Sequence, residues 1–301
     1  MNFMYFVKNY SYSPSIIEEN DRKTILKSNY PCEFKESSKI VLYKYNANSN
    51  KTLLFIHGLG TNNLKYLKWF PEQFAKNGYN AAMMILPYHF ERTPEGYKSG
   101  ELFLSTTKNE VLRSRFEHSI VDALTSINYL KNTFSNNIYL MGFSFGGFVS
   151  LMSAAINNEI KGLSLAVTGG NFYYITWKSF VTKTLRVQYE ENKECNPKRC
   201  YEIHQKYDEY INSLSNSNIE IDKAPMPCFE YDPSTFAKFI KSPTINFRAL
   251  FDIFIPKKST MDLYNRLQCK KELYSIPSGH LTSYLFKKRI FNKTITFFNN
   301  I

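Results

Sequence analysis

The chain has 301 residues, 43 % of them hydrophobic, with 25 Phe, 22 Tyr and a formal charge of +12. That supply of core material excludes disorder, and the absence of a fixed repeat or sustained heptads excludes solenoids and coiled coils. The length fits one large domain, or one domain carrying an insertion.

The basic residues comprise 29 Lys and nine Arg, dispersed along the chain apart from short runs such as Lys287-Lys288-Arg289. This pattern reads as a solvated basic face, so nucleic acid is not expected as a partner, while weak contact with an anionic membrane surface stays open. Cys32, Cys195, Cys200, Cys228 and Cys269 form no CxxC pair and are odd in number. Neither a zinc site nor a disulfide framework is expected, and a reducing compartment fits best. Met1 to Pro14 lacks the apolar run of a leader, and no stretch approaches the roughly 18 apolar residues of a membrane span. The expected location is cytoplasmic.

From Lys39 to Asn171 short apolar runs alternate with helix-period segments, the rhythm of a parallel α/β sheet. Ile40–Tyr45 and Leu53–Ile56 read as strands, the second ending in His57-Gly58-Leu59-Gly60. A helix is expected over Leu64–Lys76 and a buried strand over Tyr79–Leu86. The loop from Tyr88 to Thr107 is too long for a simple connector. Glu110–Phe134 is the clearest helix, with Leu112, Phe116, Ile120, Ala123, Leu124, Ile127 and Leu130 on one face. Next come a strand at Asn137–Phe143, a helix at Gly146–Asn157 and a strand at Ile160–Val167. From Phe172 to Lys241 the period is lost and aromatics, charges and three cysteines crowd in, which suggests an inserted helical cap. The β/α rhythm returns with a strand at Thr244–Phe251, a helix at Lys257–Leu267, a strand at Glu272–Ile276 and a helix from Leu281 to Phe298.

Gly142-Phe143-Ser144-Phe145-Gly146 has the form G-x-S-x-G between a strand and a helix. A serine on so sharp a turn sits in strained backbone geometry, and side chains two positions to either side would collide. The turn lifts the hydroxyl to a helix N-terminus, where peptide dipoles favour developing negative charge. A nucleophilic serine needs a base and an orienting acid. His280 follows the last strand, and Asp252 ends the strand before it, giving the chain order Ser144, Asp252, His280. The rival acids Asp232 and Asp262 fall in the cap and in a helix. An oxyanion hole would draw on the backbone N–H groups of Phe145 and Leu59. His57 reads as structural. His89 and Arg92 follow a strand end and are candidates for bordering the pocket, with Arg92 able to grip an anionic group or to form a loop salt bridge. His118 reads as a helix-surface residue and His204 as a cap residue.

The strand with His57-Gly58-Leu59-Gly60, the turn at Ser144, and Asp252 and His280 together resemble the α/β-hydrolase superfamily, over roughly Lys39 to Ile301. The segment Leu86–Pro94 is similar to a poorly characterised abhydrolase branch. The resemblance implies an eight-stranded, mostly parallel sheet with helices on both faces, formed by 1–171 and 242–301, and a cap at 172–241 inserted after the sixth strand. It also implies hydrolysis of esters, thioesters or amides through an acyl-enzyme, with no metal or organic cofactor. The favoured reading is a carboxylesterase or lipase-like serine hydrolase acting on small-molecule or lipid-like acyl esters. Acyl transfer by the same residues and a non-catalytic ligand-binding role are the alternatives. Phe172, Tyr173, Tyr174, Trp177 and Phe180 are expected to form the cap's own core rather than line an acyl pocket. Oligomeric state has no signature in the sequence.

Overall fold

A computed structural model describes residues 10–60, 63–180, 182–191, 195–215 and 224–301. Most of the N-terminal stretch read as leaderless, and parts of 172–241, lie outside the described residues. The chain opens with a hairpin of β1 (Ile16–Glu19) and β2 (Lys23–Lys27), followed by β3 (Lys39–Tyr45) and β4 (Lys51–Ile56). Helix α1 (Leu64–Lys76) leads to β5 (Asn80–Met84), and α2 (Asn109–Thr133) leads to β6 (Asn137–Phe143). Helix α3 (Phe145–Ile156) and β7 (Gly162–Ala166) follow. Among the described residues five α-helices come next: α4 (Phe172–Lys178), α5 (Lys183–Glu191), α6 (Pro197–His204), α7 (Tyr207–Ser213) and α8 (Pro233–Ala237). The chain then forms β8 (Thr244–Ala249), α9 (Lys257–Arg266), β9 (Lys271–Ile276) and α10 (Lys287–Asn299).

Among the described residues nine strands join one sheet in the order β1-β2-β3-β5-β4-β6-β7-β8-β9. The pairings β1–β2, β2–β3 and β3–β5 are antiparallel, and the five others are parallel. The sheet therefore has one strand more than the eight expected. The N-terminal hairpin was not legible beforehand: β1 is exposed throughout and β2 buries only Thr24 and Leu26. With that hairpin counted, the helical stretch follows the seventh strand rather than the sixth.

Strands β4 to β7 are almost entirely buried, as parallel strands covered on both faces should be. Their alternation feeds two cores. Leu54 and Ile56 point to the cluster that includes Ile120 and Leu124 of α2 and Leu151 of α3. Leu53 and Phe55 point to the opposite cluster, with Phe70 and Phe74 of α1 and Phe291 and Phe298 of α10. The strand order reverses at β4, with β5 on one side and β6 on the other. Loops leaving the carboxyl ends of β4 and β6 diverge there, and the crevice between them is where open α/β sheets bind ligands. Among the described residues, no helix is long and apolar enough to cross a membrane.

Candidate active site

Ser144 stands between β6 and α3 with φ 53° and ψ −118°, a conformation that costs an L-residue energy and persists only when its surroundings enforce it. They do so through contact on every side. A Cβ on Gly142 would lie 2.2 Å from the Gly146 carbonyl oxygen. One on Gly146 would lie 2.1 Å from that of Ile56, and one on Gly58 would lie 3.0 Å from Ser144 Cβ. The Ser144 N–H donates to the Ala166 oxygen at 2.8 Å, and the Thr168 hydroxyl donates to the Ser144 oxygen at 2.9 Å. Sequence reasoning passed over Thr168, which follows β7 by two residues and carries no motif.

His280 and Asp252 reach this serine from the ends of β9 and β8. His280 Nε2 lies 2.8 Å from Ser144 Oγ, and His280 Nδ1 lies 2.8 Å from Asp252 Oδ2. The other Asp252 oxygen accepts the N–H groups of Phe254 and Ile255, both at 2.8 Å. The carboxylate is thereby fixed by its own loop. With Nδ1–H donating to the carboxylate, Nε2 is left to accept from the serine hydroxyl. Phe254 stacks on the imidazole at 4.9 Å between centroids and 18° between planes. It was missed beforehand, though it stands two residues after Asp252.

Neither rival acid approaches the imidazole. Buried Asp232 accepts the N–H groups of Asn171, Phe172 and Ser234, and desolvation raises its pKa to about 7. Asp262 pairs with Arg266 and accepts from the Ser234 hydroxyl. Leu59 and Phe145 both border the cavity onto which Ser144 opens. Phe145 is the first residue of α3, so its N–H has no acceptor within the helix.

The remaining histidines, with Arg92, are internal. His57 Nδ1–H donates to the Gly58 oxygen at 2.8 Å, and Nε2 accepts the Leu86 N–H at 3.1 Å. Burial, helped by nearby His89, pushes its pKa down to about 3, so it is a neutral brace between the loops after β4 and β5. His89 does not border the cavity: it is fully buried behind Gly100, with Nδ1–H on the Pro87 oxygen and its pKa pushed by burial to about 4. Arg92 does not border it either. Its fully buried guanidinium donates to the oxygens of Ile85 and Ser37, each at 2.8 Å, and pairs with Asp122 at 2.5 Å. Burial alone would raise the Asp122 pKa, but the adjacent Arg92 and His118 hold it below the ordinary carboxylate value. His118 is likewise buried in this cluster and not on a helix surface, with Nε2 3.3 Å from Asp122. A charge this deep is tolerated only where opposite charge and hydrogen bonds meet it.

The cavity beside Ser144 encloses about 670 Å³. An aromatic cage forms much of its wall. Phe145 packs on Phe103 and Phe116 at 4.5 and 4.9 Å, and Phe116 and Phe172 meet Tyr231 at 5.1 and 5.4 Å. Trp177, Cys195, Cys200 and His204 also border the space. Of the five aromatics expected to fill the helical segment's own core, Phe172 and Trp177 line the cavity, whereas Phe180 stands in solvent. Among the described residues no three His, Cys, Asp or Glu side chains gather as a metal site.

No family model and no curated protein matches the sequence. Solved structures do. An esterase of Pyrococcus furiosus is 16 % identical, with 97 % of this chain and 93 % of that one aligned at a TM-score of 0.55. A cold-adapted esterase from an Arctic intertidal metagenomic library is 13 % identical over 97 % and 98 % of the two chains, at 0.57. Acetyl xylan esterase 1 from a Thermoanaerobacterium species is 15 % identical over 93 % and 88 %, at 0.56. Identities this low speak to architecture. Together with the strand order, the switch at β4 and the strained serine turn, they show that the chain has the α/β-hydrolase fold.

Proposed function

We propose that this protein is a serine hydrolase that cleaves carboxylic esters with apolar acyl groups. The observation that carries this reading is the unbroken run of hydrogen bonds from Asp252 through His280 to Ser144, ending at the wall of an apolar cavity.

Ser144 Oγ attacks the ester carbonyl carbon as His280 Nε2 takes its proton, and Asp252 stabilises the imidazolium. The carbonyl π pair moves onto oxygen, where the backbone N–H groups of Phe145 and Leu59 receive it. Each such donor contributes about 3–4 kcal/mol to the transition state. When the C–O bond breaks, His280 returns the proton to the leaving alkoxide, and the acyl group stays on Ser144. Water then adds to that carbonyl with His280 again as base, and collapse releases the acid and restores the serine hydroxyl. Water is the only co-reactant.

In this reading 1–171 and 242–301 form the catalytic core, and 172–241 is a cap whose Phe172 and Trp177 face the acyl chain. An aromatic wall selects apolar acyl groups, because burying each methylene is worth ~0.8 kcal/mol. The test is intact-mass analysis after exposure to a fluorophosphonate, on the wild type and Ser144→Ala in parallel. One adduct on the wild type and none on the variant is the expected result; equal labelling, or none on either, overturns it.

A further inference from the structure

Among the described residues, the five most exposed large apolar side chains share one region. Leu285 is 80 % exposed, Phe180 and Leu281 70 %, Phe251 69 % and Ile253 55 %. They belong to three segments bonded to one another at the carboxyl edge of the sheet. Phe180 N–H donates to the Ile253 oxygen at 2.9 Å, and Phe251 N–H donates to the Ser278 oxygen at 2.9 Å. Each segment also reaches the cavity beside Ser144, which Ser179, Phe254 and Leu281 border. Apolar side chains clustered in water in this way mark an interaction surface.

The charges beside them are one-sided. Lys178 and Lys183 flank Phe180, and both are exposed. Lys257 and Lys258 open α9, while Lys287, Lys288 and Arg289 open α10, and neither first turn holds an acid. From Gly279 to Asn299 there is no Asp or Glu at all. Cations at a helix N-terminus oppose the macrodipole, so helix stability does not account for two such clusters. Each helix follows a parallel strand, which brings its first turn to the same edge as the apolar group.

We propose that this face docks on an anionic lipid bilayer. Phe180, Phe251, Ile253, Leu281 and Leu285 enter the boundary between headgroups and acyl chains, and the lysines meet lipid phosphates. The segments that border the cavity then lie against the membrane. A second copy of the chain is the poorer occupant, because a two-fold interface would bring the same lysines against one another. The surface stands on exposure and charge, independent of the serine chemistry.

Flotation with phosphatidylcholine vesicles, with and without phosphatidylserine, tests this on the intact chain. The wild type is expected to float with the phosphatidylserine vesicles and to be released as salt rises. Phe180→Ser with Leu285→Ser, and separately Lys258→Glu with Lys288→Glu, are expected to lose about tenfold or more of that binding with unchanged thermal unfolding. No flotation of the wild type, or equal flotation of both variants, overturns the proposal. A dimer seen by light scattering that the serine pair dissolves, with vesicles left unbound, overturns it in favour of self-association. Fluorophosphonate labelling of the same samples reports the serine separately, so either reading can fail alone.

Discussion

The carbonyl oxygen of Ile56 occupies the space beside Gly146 so fully that a methyl group there would sit 2.1 Å away. Ile56 ends β4 and Gly146 lies in the first turn of α3, so this contact fixes how closely the helix approaches the sheet beneath the serine. Gly146→Ala can be accommodated only by moving backbone. We expect a loss of about 3 kcal/mol or more, read as a fall in the urea midpoint or as insolubility. Gly279→Ala, whose added carbon meets nothing nearer than 3.4 Å, serves as the tolerated control.

Arg92 and Asp122 form a fully buried pair beneath the loop from Tyr88 to Thr107. Removing the cation alone, as in Arg92→Met, strands a carboxylate in the interior and should cost about 3–5 kcal/mol. Since the guanidinium does not touch the cavity, the folded fraction should label at the wild-type rate with fluorophosphonate. A folded variant with slowed labelling would return Arg92 to the substrate side.

Acid sensitivity follows from His57 and His89. Burial pushes their pKa values down to about 3 and about 4, from an ordinary value of 6.5. Between those limits the unfolded chain takes up protons that the native state refuses. Their contribution is therefore complete above about pH 6.5 and declines as the pH falls toward 4. Each histidine contributes a slope of up to about 1.4 kcal/mol per pH unit. Urea unfolding at pH 7, 6 and 5 should show this decline, and His89→Phe, which keeps a ring against His57, should flatten it. An identical slope in that variant would sink the assignment.

In the proposed reaction the length of the cavity sets the acyl range. Ile175 borders the space and is half-buried, so Ile175→Trp fills part of it without disturbing the deep core. With a series of acyl esters, the variant should lose kcat/KM on the longest chains and keep it on the shortest. A uniform loss would instead mean that the tryptophan disturbs the serine.

Much of this was legible in the sequence, for identifiable reasons. Parallel strands buried on both faces declare themselves as apolar runs, and the glycines about Ser144 have no cheap replacement. What escaped depended on distant partners. Arg92 read as a pocket residue or a loop salt bridge, and His118 as helix surface, because their burial is licensed by Asp122, which no local pattern links to them. Strand β1 escaped because all four of its residues are exposed, leaving no periodicity to detect. The helices from α4 to α8 are five to nine residues long, too short to show a stable apolar face.

Ser144 and His280 lie 136 positions apart in the chain. Among the described residues α3, β7, α4 to α8, β8, α9 and β9 come between them. Contacts closing so long a stretch form late in folding, after the local ones. On the proposed mechanism the hydroxyl therefore gains its proton acceptor only when β9 has taken its place beside β8. On that mechanism a molecule caught part-way carries a serine without its base. Probe reactivity thus counts finished molecules, and in a denaturation series it should vanish with the pairing of those two strands, whatever helix remains.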